Sequence, residues 1–117
     1  PNWATWSIEQ LDAAAARGPL LINGVIYSEF SVGYDRIEEV DQLLRDVDIR
    51  LAEIPREALF LAGKAFLHYR RQGGARTGVL PDFFIGAHAA VSRMTLLTRD
   101  PTRYRSYFPT VDLLSPS

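Results

Sequence analysis

Three acidic residues lie at positions where their carboxylates are candidates for metal and phosphate chemistry. Asp82 follows a proline at the expected start of a helix, and Asp100 follows the apolar segment TLLT, where a strand is expected to end. Glu29 lies three and four residues after Ile26 and Val25, so on a helix it shares their apolar face. An acid on an apolar face is costly unless it is paired or bound to a metal. These three carboxylates are therefore the first candidates for a functional site.

The expected strands bring these acids toward one place. Functional groups of open α/β sheets gather beyond the carboxyl ends of the strands. Asp100 ends one expected strand, and Glu29 lies about two helical turns beyond the end of another. Carboxylates that meet there repel one another unless a cation neutralises them. A hard divalent ion such as Mg²⁺ or Mn²⁺, held by oxygen ligands and water, is the simplest way to satisfy them.

Each acid also has a purely structural interpretation. An acid in the first turn of a helix, such as Asp82, offsets the helix dipole by ~0.3–1 kcal/mol. Asp100, which precedes Pro101, has the pattern of a helix N-cap. Glu29 is also consistent with a partly buried acid that is paired with an arginine. The three positions taken together, rather than any one of them, favour the metal site.

Size, composition and charge limit the classes of protein that fit. With 117 residues, 47% of them hydrophobic and 23% charged, the chain has the composition of one ordinary globular domain. It has no cysteine, so a metal site would need carboxylates or the two histidines. A net charge of −1 argues against avid non-specific nucleic-acid binding, but not against a nucleic-acid substrate held locally by a metal and a few arginines. No apolar run approaches the ~20 residues of a membrane span, which predicts a cytoplasmic protein with no membrane partner.

The elements that must position the acids alternate between helices and strands. Capping signals and apolar spacing predict helices over residues 8–17, 35–47 and 55–72, and helices that start at 24, 81 and 101. Short apolar segments predict strands at 19–22, 49–51, 95–98 and 111–116. This order favours an α/β fold with a mainly parallel central sheet that is flanked by helices.

Several other polar residues could contribute to the site but also have simpler structural interpretations. His88 on an apolar helix is expected to be structural. His68 lies near the end of a long helix, where it is favourably placed to interact with the helix dipole. Thr98 is a candidate for a hydrogen bond that supports the site. Three arginines near Asp100 are candidates for binding phosphates of a substrate, and equally for ion pairs with surface acids: Arg99, Arg103 and Arg105.

Three segments together resemble those of PIN-domain ribonucleases, and most of all VapC-type toxins of bacterial toxin–antitoxin systems. They are LLINGVIYSEF (20–30), LPDFFIGAHAAV (80–91) and LLTRDPTRYRSYFP (96–109), each with an acid at the matching position. Their order and spacing fit the family, and so do the helices between them. The resemblance therefore covers nearly the whole chain.

The resemblance implies a metal-dependent endoribonuclease that hydrolyses RNA phosphodiester bonds in the bacterial cytoplasm. The acids of the family fall on Glu29, Asp82 and Asp100, which would be both the catalytic residues and the ligands of Mg²⁺ or Mn²⁺. A PIN-like three-layer fold is implied as well, with a mainly parallel central sheet. The expected protein partners are a cognate antitoxin and a second copy of the chain in a homodimer.

In one respect the sequence departs from the family pattern. PIN-domain proteins open with a strand that ends in an aspartate, and no acid precedes Glu9 here. The expectation is a single PIN-like domain over residues 1–117 that is trimmed at its N-terminus and lacks this strand and its metal ligand. A second hypothesis is therefore a catalytically incomplete PIN-like binding module. A third is a phosphatase or another nuclease that uses the same acid chemistry.

Overall fold

The computed structural model describes residues 9, 13, 16, 18–76, 78–98 and 100–115. The chain divides into two compact units, Pro1–Glu53 (unit 1) and Ile54–Ser117 (unit 2). The elements are, in order, β1 (Leu20–Ile22), α1 (Gly24–Ser31), α2 (Ile37–Asp46), β2 (Ile49–Leu51), α3 (Arg56–Arg71), α4 (Leu80–Ser92), β3 (Leu96–Leu97), α5 (Thr102–Tyr107) and β4 (Leu113–Leu114). The helix expected over residues 8–17 lies mostly outside the described residues, and positions 9, 13 and 16 are helical. No helix in these described ranges is long and apolar enough to cross a membrane.

The α/β architecture with parallel strands is confirmed. In the part of the chain that the structure describes, the parallel strands pair within their units, β1 with β2 in unit 1 and β3 with β4 in unit 2. Each strand is only two or three residues long. Strand pairing therefore supplies few hydrogen bonds, and each unit depends mainly on the packing of its helices.

Unit 1 is built on the parallel pair β1–β2, in which Ile22 lies opposite Leu51. Asn23 directly follows β1 with an extended backbone, and its side chain accepts a 3.1 Å hydrogen bond from the N–H of Ile26. Asn23 therefore caps α1, as expected from the sequence, because it satisfies one of the free amides of the first turn.

The core of unit 1 is small. Val40 and Leu44 of α2 are buried with Ile22 of β1. Two other residues of the apolar face expected for this helix, Ile37 and Val47, are 64% and 50% exposed. They stay exposed because α2 is about 15 Å long, whereas the three-residue strands span only about 10 Å and do not reach its ends.

The core of unit 2 is formed largely by α3 and α4. α3 presents Ala58, Ala62 and Ala65 on one buried face. Alanine side chains are short, so they let α4 approach closely, and Phe83 of α4 joins this cluster with no exposed surface. Phe83 also meets neighbouring rings at centroid distances from 5.3 to 6.0 Å, which favours edge-on and tilted aromatic contacts: Phe66, Tyr69, Tyr107 and Phe108.

α4 and α5 pack together at Gly86. A Cβ atom at this position would lie 2.5 Å from Cδ2 of Phe108 and 3.0 Å from Cδ1 of Tyr104. Both rings are buried, so neither has free space into which to move. The absence of a side chain at Gly86 is therefore what permits α5 and the residue after it to lie against α4.

The parallel pair β3–β4 leads to Asp100. Leu96 lies opposite Leu113 in this pair. The N–H of Leu96 donates to the carbonyl of Asp112 at 2.8 Å, and the N–H of Thr98 donates to the carbonyl of Leu114 at 3.0 Å. These bonds anchor the segment that runs from β3 toward α5.

Candidate active site

Asp82 lies in the first turn of α4, as the sequence predicts. Pro81 suits the start of the helix because its missing N–H would have no partner within the helix there. The N–H of Asp82 donates to the carbonyl of Val79 at 3.0 Å, so the turn is closed by the backbone. The carboxylate is not needed for capping and is available to groups outside the helix.

Arg103, in the first turn of α5, contacts this carboxylate. Its Nη1 atom donates a hydrogen bond to Oδ2 of Asp82 across 21 positions of sequence. The packing of α5 on α4 at Gly86 brings the two side chains together. The side chain of Arg103 is 23% exposed and that of Asp82 is 36% exposed, so solvent partly screens the pair. A partly screened ion pair of this kind contributes on the order of 1 kcal/mol, which a cation bound at the same carboxylate could offset.

Asp100 follows β3 and is exposed. The hydroxyl of Thr98 accepts a hydrogen bond from the N–H of Asp100 at 3.1 Å and donates one to its carbonyl at 3.4 Å. Thr98 thus supports the backbone of Asp100, as is common for threonine in turns, and not its carboxylate. Asp100 directly precedes Pro101, which already has helical dihedral angles, so it lies at the N-cap position that the sequence predicts. Among the described residues, however, its carboxylate makes no capping hydrogen bond to α5. Capping of this helix therefore does not occupy the carboxylate of Asp100.

Glu29 lies on α1 in unit 1, whereas Asp82 and Asp100 lie in unit 2. Glu29 is exposed, while Val25 and Ile26 of the same helix are half-buried. The expectation of an acid placed on a buried apolar face is therefore wrong. The physical reason is that α1, all of which is described, has no fully buried residue. A role for Glu29 in catalysis stays a prediction.

The acids supply the oxygen donors that a hard divalent cation prefers. Among the residues that the structure describes, no group of three acidic or histidine side chains is arranged to hold a metal. Mg²⁺ does not require such a group, because it commonly keeps several waters and binds one or two carboxylates. The half-buried Asp82 and the exposed Asp100 fit ligands of this kind, with Arg103 in contact with one of them.

The two histidines occupy structural positions. His88 on α4 is 5% exposed, and burial lowers the pKa of its imidazole because the protein interior disfavours the charged form. His68 lies in the last turn of α3, where its ring meets that of Tyr107 edge-on at a centroid distance of 5.8 Å. Both positions match the structural roles expected from the sequence.

The partner of Arg103 is the part of the site that sequence reasoning missed. The sequence leaves Arg103 open to RNA phosphates or to surface acids, and the structure shows the pair with Asp82. One signal for this partner is Gly86, because a glycine inside an apolar helix often marks a close packing contact. Of the other two arginines near Asp100, Arg105 is exposed on α5, and Arg99 lies outside the described residues.

Comparison with known proteins agrees with this fold. A solved structure of VapBC2 from Rickettsia felis, bound to a DNA fragment from their promoter, matches with a TM-score of 0.66 and 18% sequence identity, over 92% of this chain and 83% of that chain. At this identity, the likeness shows a shared fold. No curated protein sequence matches the chain significantly. The family model of the PIN domain matches residues 4–108. The chain therefore belongs to the PIN domain family, as its three acidic segments predict.

Proposed function

We propose that this chain is the toxin of a bacterial toxin–antitoxin pair, a metal-dependent endoribonuclease that hydrolyses RNA phosphodiester bonds in the cytoplasm. The observation that carries the proposal is the partly exposed carboxylate of Asp82 in the first turn of α4. Arg103 of α5, the helix that follows Asp100, contacts this carboxylate. Membership of the PIN domain family supports nuclease chemistry. The fold shared with the VapBC2 structure supports an antitoxin as the partner, and the proposal includes a homodimer of the chain.

In this proposal the carboxylates of Asp82 and Asp100 hold Mg²⁺ or Mn²⁺, and Glu29 is the third acid of the site. A bound ion of this kind lowers the pKa of its water and stabilises negative charge on a phosphate. The hydrogen bonds from Thr98 hold the backbone from which the carboxylate of Asp100 projects. The positive end of the α4 dipole stabilises negative charge near Asp82, whether on the carboxylate or on a bound phosphate.

Replacement of single acids by their amides tests this assignment. Asp82→Asn and Asp100→Asn keep the size of the side chain and remove its charge. We expect each to reduce cleavage of single-stranded RNA by roughly 100-fold or more, while circular dichroism and urea unfolding stay close to those of the unaltered protein. Asp112→Asn is the matched control, because Asp112 is an exposed acid of unit 2. Its contact with Leu96 of β3 is made by its backbone carbonyl, which the substitution leaves in place. Undiminished cleavage by both Asp82→Asn and Asp100→Asn would refute the proposal.

The substrate class needs its own comparison. The same acids would suit a phosphatase or a nuclease of another specificity. Single-stranded RNA, single-stranded DNA and a small phosphate ester are therefore assayed side by side with Mn²⁺. Faster hydrolysis of DNA or of the ester than of RNA would replace the ribonuclease assignment.

The Asp82–Arg103 contact favours a second candidate, a PIN-like module that binds a partner without cleaving RNA. An acid that an arginine already neutralises has less attraction for a cation. Calorimetric titration with Mn²⁺ separates the two candidates. Folded protein that takes up no Mn²⁺ at millimolar concentration would favour the binding module.

A further inference from the structure

Arg103 contacts one oxygen of a carboxylate that is a ligand in the proposed metal site. The contact joins a single nitrogen, Nη1, to a single oxygen, Oδ2 of Asp82. A guanidinium and a divalent cation both carry positive charge, so they repel each other when they share one carboxylate. Arg103 and a cation at Asp82 are therefore competitors.

The surroundings allow Arg103 to leave Asp82 without disturbing the fold. Neither side chain is fully buried, so the pair exchanges readily with solvent. The position of α5 is set by Tyr104 and Phe108, which pack at Gly86, and does not depend on the ion pair. The arginine side chain has many rotamers and can turn outward while its helix stays in place.

A released Arg103 would suit a phosphate. Its planar group of N–H donors matches the spacing of phosphate oxygens, and such contacts are charge-assisted. Apart from Asp82, no partner of Arg103 is found in the described ranges, so most of its donors are unused. Because Arg103 lies three residues after Asp100, its side chain starts close to the second proposed metal ligand.

We infer that Arg103 alternates between two partners. It neutralises Asp82 while no cation is bound, and it is released to bind a phosphate of the RNA when Asp82 binds a divalent cation. This inference rests on the proposed function, since it takes Asp82 as a metal ligand. Arg103 is then both an internal counter-ion of the empty site and a contributor to substrate binding.

Calorimetry with Mn²⁺ alone tests the competition. Arg103→Gln removes the charge and keeps a long polar side chain, so its Kd for Mn²⁺ should be about threefold to tenfold lower than that of the unaltered protein. Arg103→Lys keeps the charge, and its Kd should stay within about twofold. Arg71→Gln removes the same charge from the exposed end of α3 and is the matched control, with no change expected.

The phosphate contact is tested with a short 2′-O-methyl RNA, whose affinity is measured across salt concentrations with and without Mn²⁺. Loss of one phosphate contact lowers the slope of log K against log salt by about 0.7 for a single strand. Arg103→Gln should show this loss with Mn²⁺ and a smaller one or none without it. An equal loss in both conditions would mean that Arg103 binds phosphate whether or not a cation is present, which overturns the alternation.

The two proposals fail in different ways. If the unaltered protein binds Mn²⁺ and Arg103→Gln binds it equally or more weakly, the competition is refuted and the proposed metal site still stands. If neither folded protein binds Mn²⁺, the metal-dependent function is itself refuted. Urea unfolding of each variant shows that it is folded, so a loss of binding is not mistaken for a loss of structure.

Discussion

Replacement of Gly86 by alanine should destabilise unit 2, although alanine is normally the better residue in a helix. The new Cβ atom would lie 2.5 Å from a ring carbon of Phe108 and 3.0 Å from one of Tyr104. Both distances are shorter than ordinary van der Waals contact. Because both rings are buried, α5 would have to move away from α4 to make room.

Two opposing terms set the size of the effect. Overpacking of a filled core costs ~1–3 kcal/mol, and this contact with two buried rings belongs at the upper end. The higher helix propensity of alanine returns about 1 kcal/mol. The free energy of unfolding should therefore fall by about 1–2 kcal/mol. The movement of α5 would also separate Arg103 from Asp82.

Equilibrium unfolding in urea is the assay, and Gly63→Ala is the matched control. Gly63 lies on α3 in the same unit, and a Cβ atom there would meet nothing within 4 Å. The same substitution should therefore raise the free energy of unfolding by ~0.5–1 kcal/mol. The urea midpoint should move down by about 0.5–1 M for Gly86→Ala and up for Gly63→Ala. If both variants are stabilised, the close approach at Gly86 does not limit the packing of α5 on α4.

Three further predictions concern other residues. Arg93 ends α4 in the left-handed conformation, with φ of 54°, so Arg93→Gly should raise the free energy of unfolding by ~0.5–1 kcal/mol in urea titrations. The lowered pKa of His88 means that the unfolded chain binds a proton more readily than the folded one. Stability should therefore decline as pH falls below about 6.5, and His88→Gln should flatten this decline when unfolding is compared at several pH values. The pKa of Tyr27 is raised because its hydroxyl donates to Oδ1 of Asp41 at 2.6 Å. Ultraviolet titration of Asp41→Asn should find the pKa of Tyr27 nearer its usual value. In the unaltered protein, the stability that this bond contributes should be lost only as pH rises above about 10.

Local signals predict much of this fold because each is set by one or two residues. Asn23 starts α1 through its own side chain, and Pro81 places Asp82 in the first turn of α4. The exposure of Glu29 did not follow in the same way. Periodicity tells which residues share a helix face, but not whether another element covers that face. Which strand pairs with which, β1 with β2 and β3 with β4, is likewise a property of packing between distant segments.

The site shows the same limit. The sequence places Asp82 and Asp100 at the ends of their elements, and it proposes Arg103 as a neighbour of Asp100. The pair between Asp82 and Arg103 depends instead on how α5 packs on α4. That packing is set at Gly86 by contacts with residues that are distant in the sequence. A charged residue near an acid in sequence is therefore a poor guide to which acid it meets in space.

The parallel pairing of the strands also bears on the order in which the chain folds. α3 and α4 follow one another in the sequence and pack directly, so their contact is local and should form early. β3 can pair with β4 only after α5 has been made, because α5 lies between them. During synthesis, the segment that carries Asp82 leaves the ribosome before the one that carries Arg103. The carboxylate of Asp82 is therefore without its counter-ion until the last elements of the chain have folded.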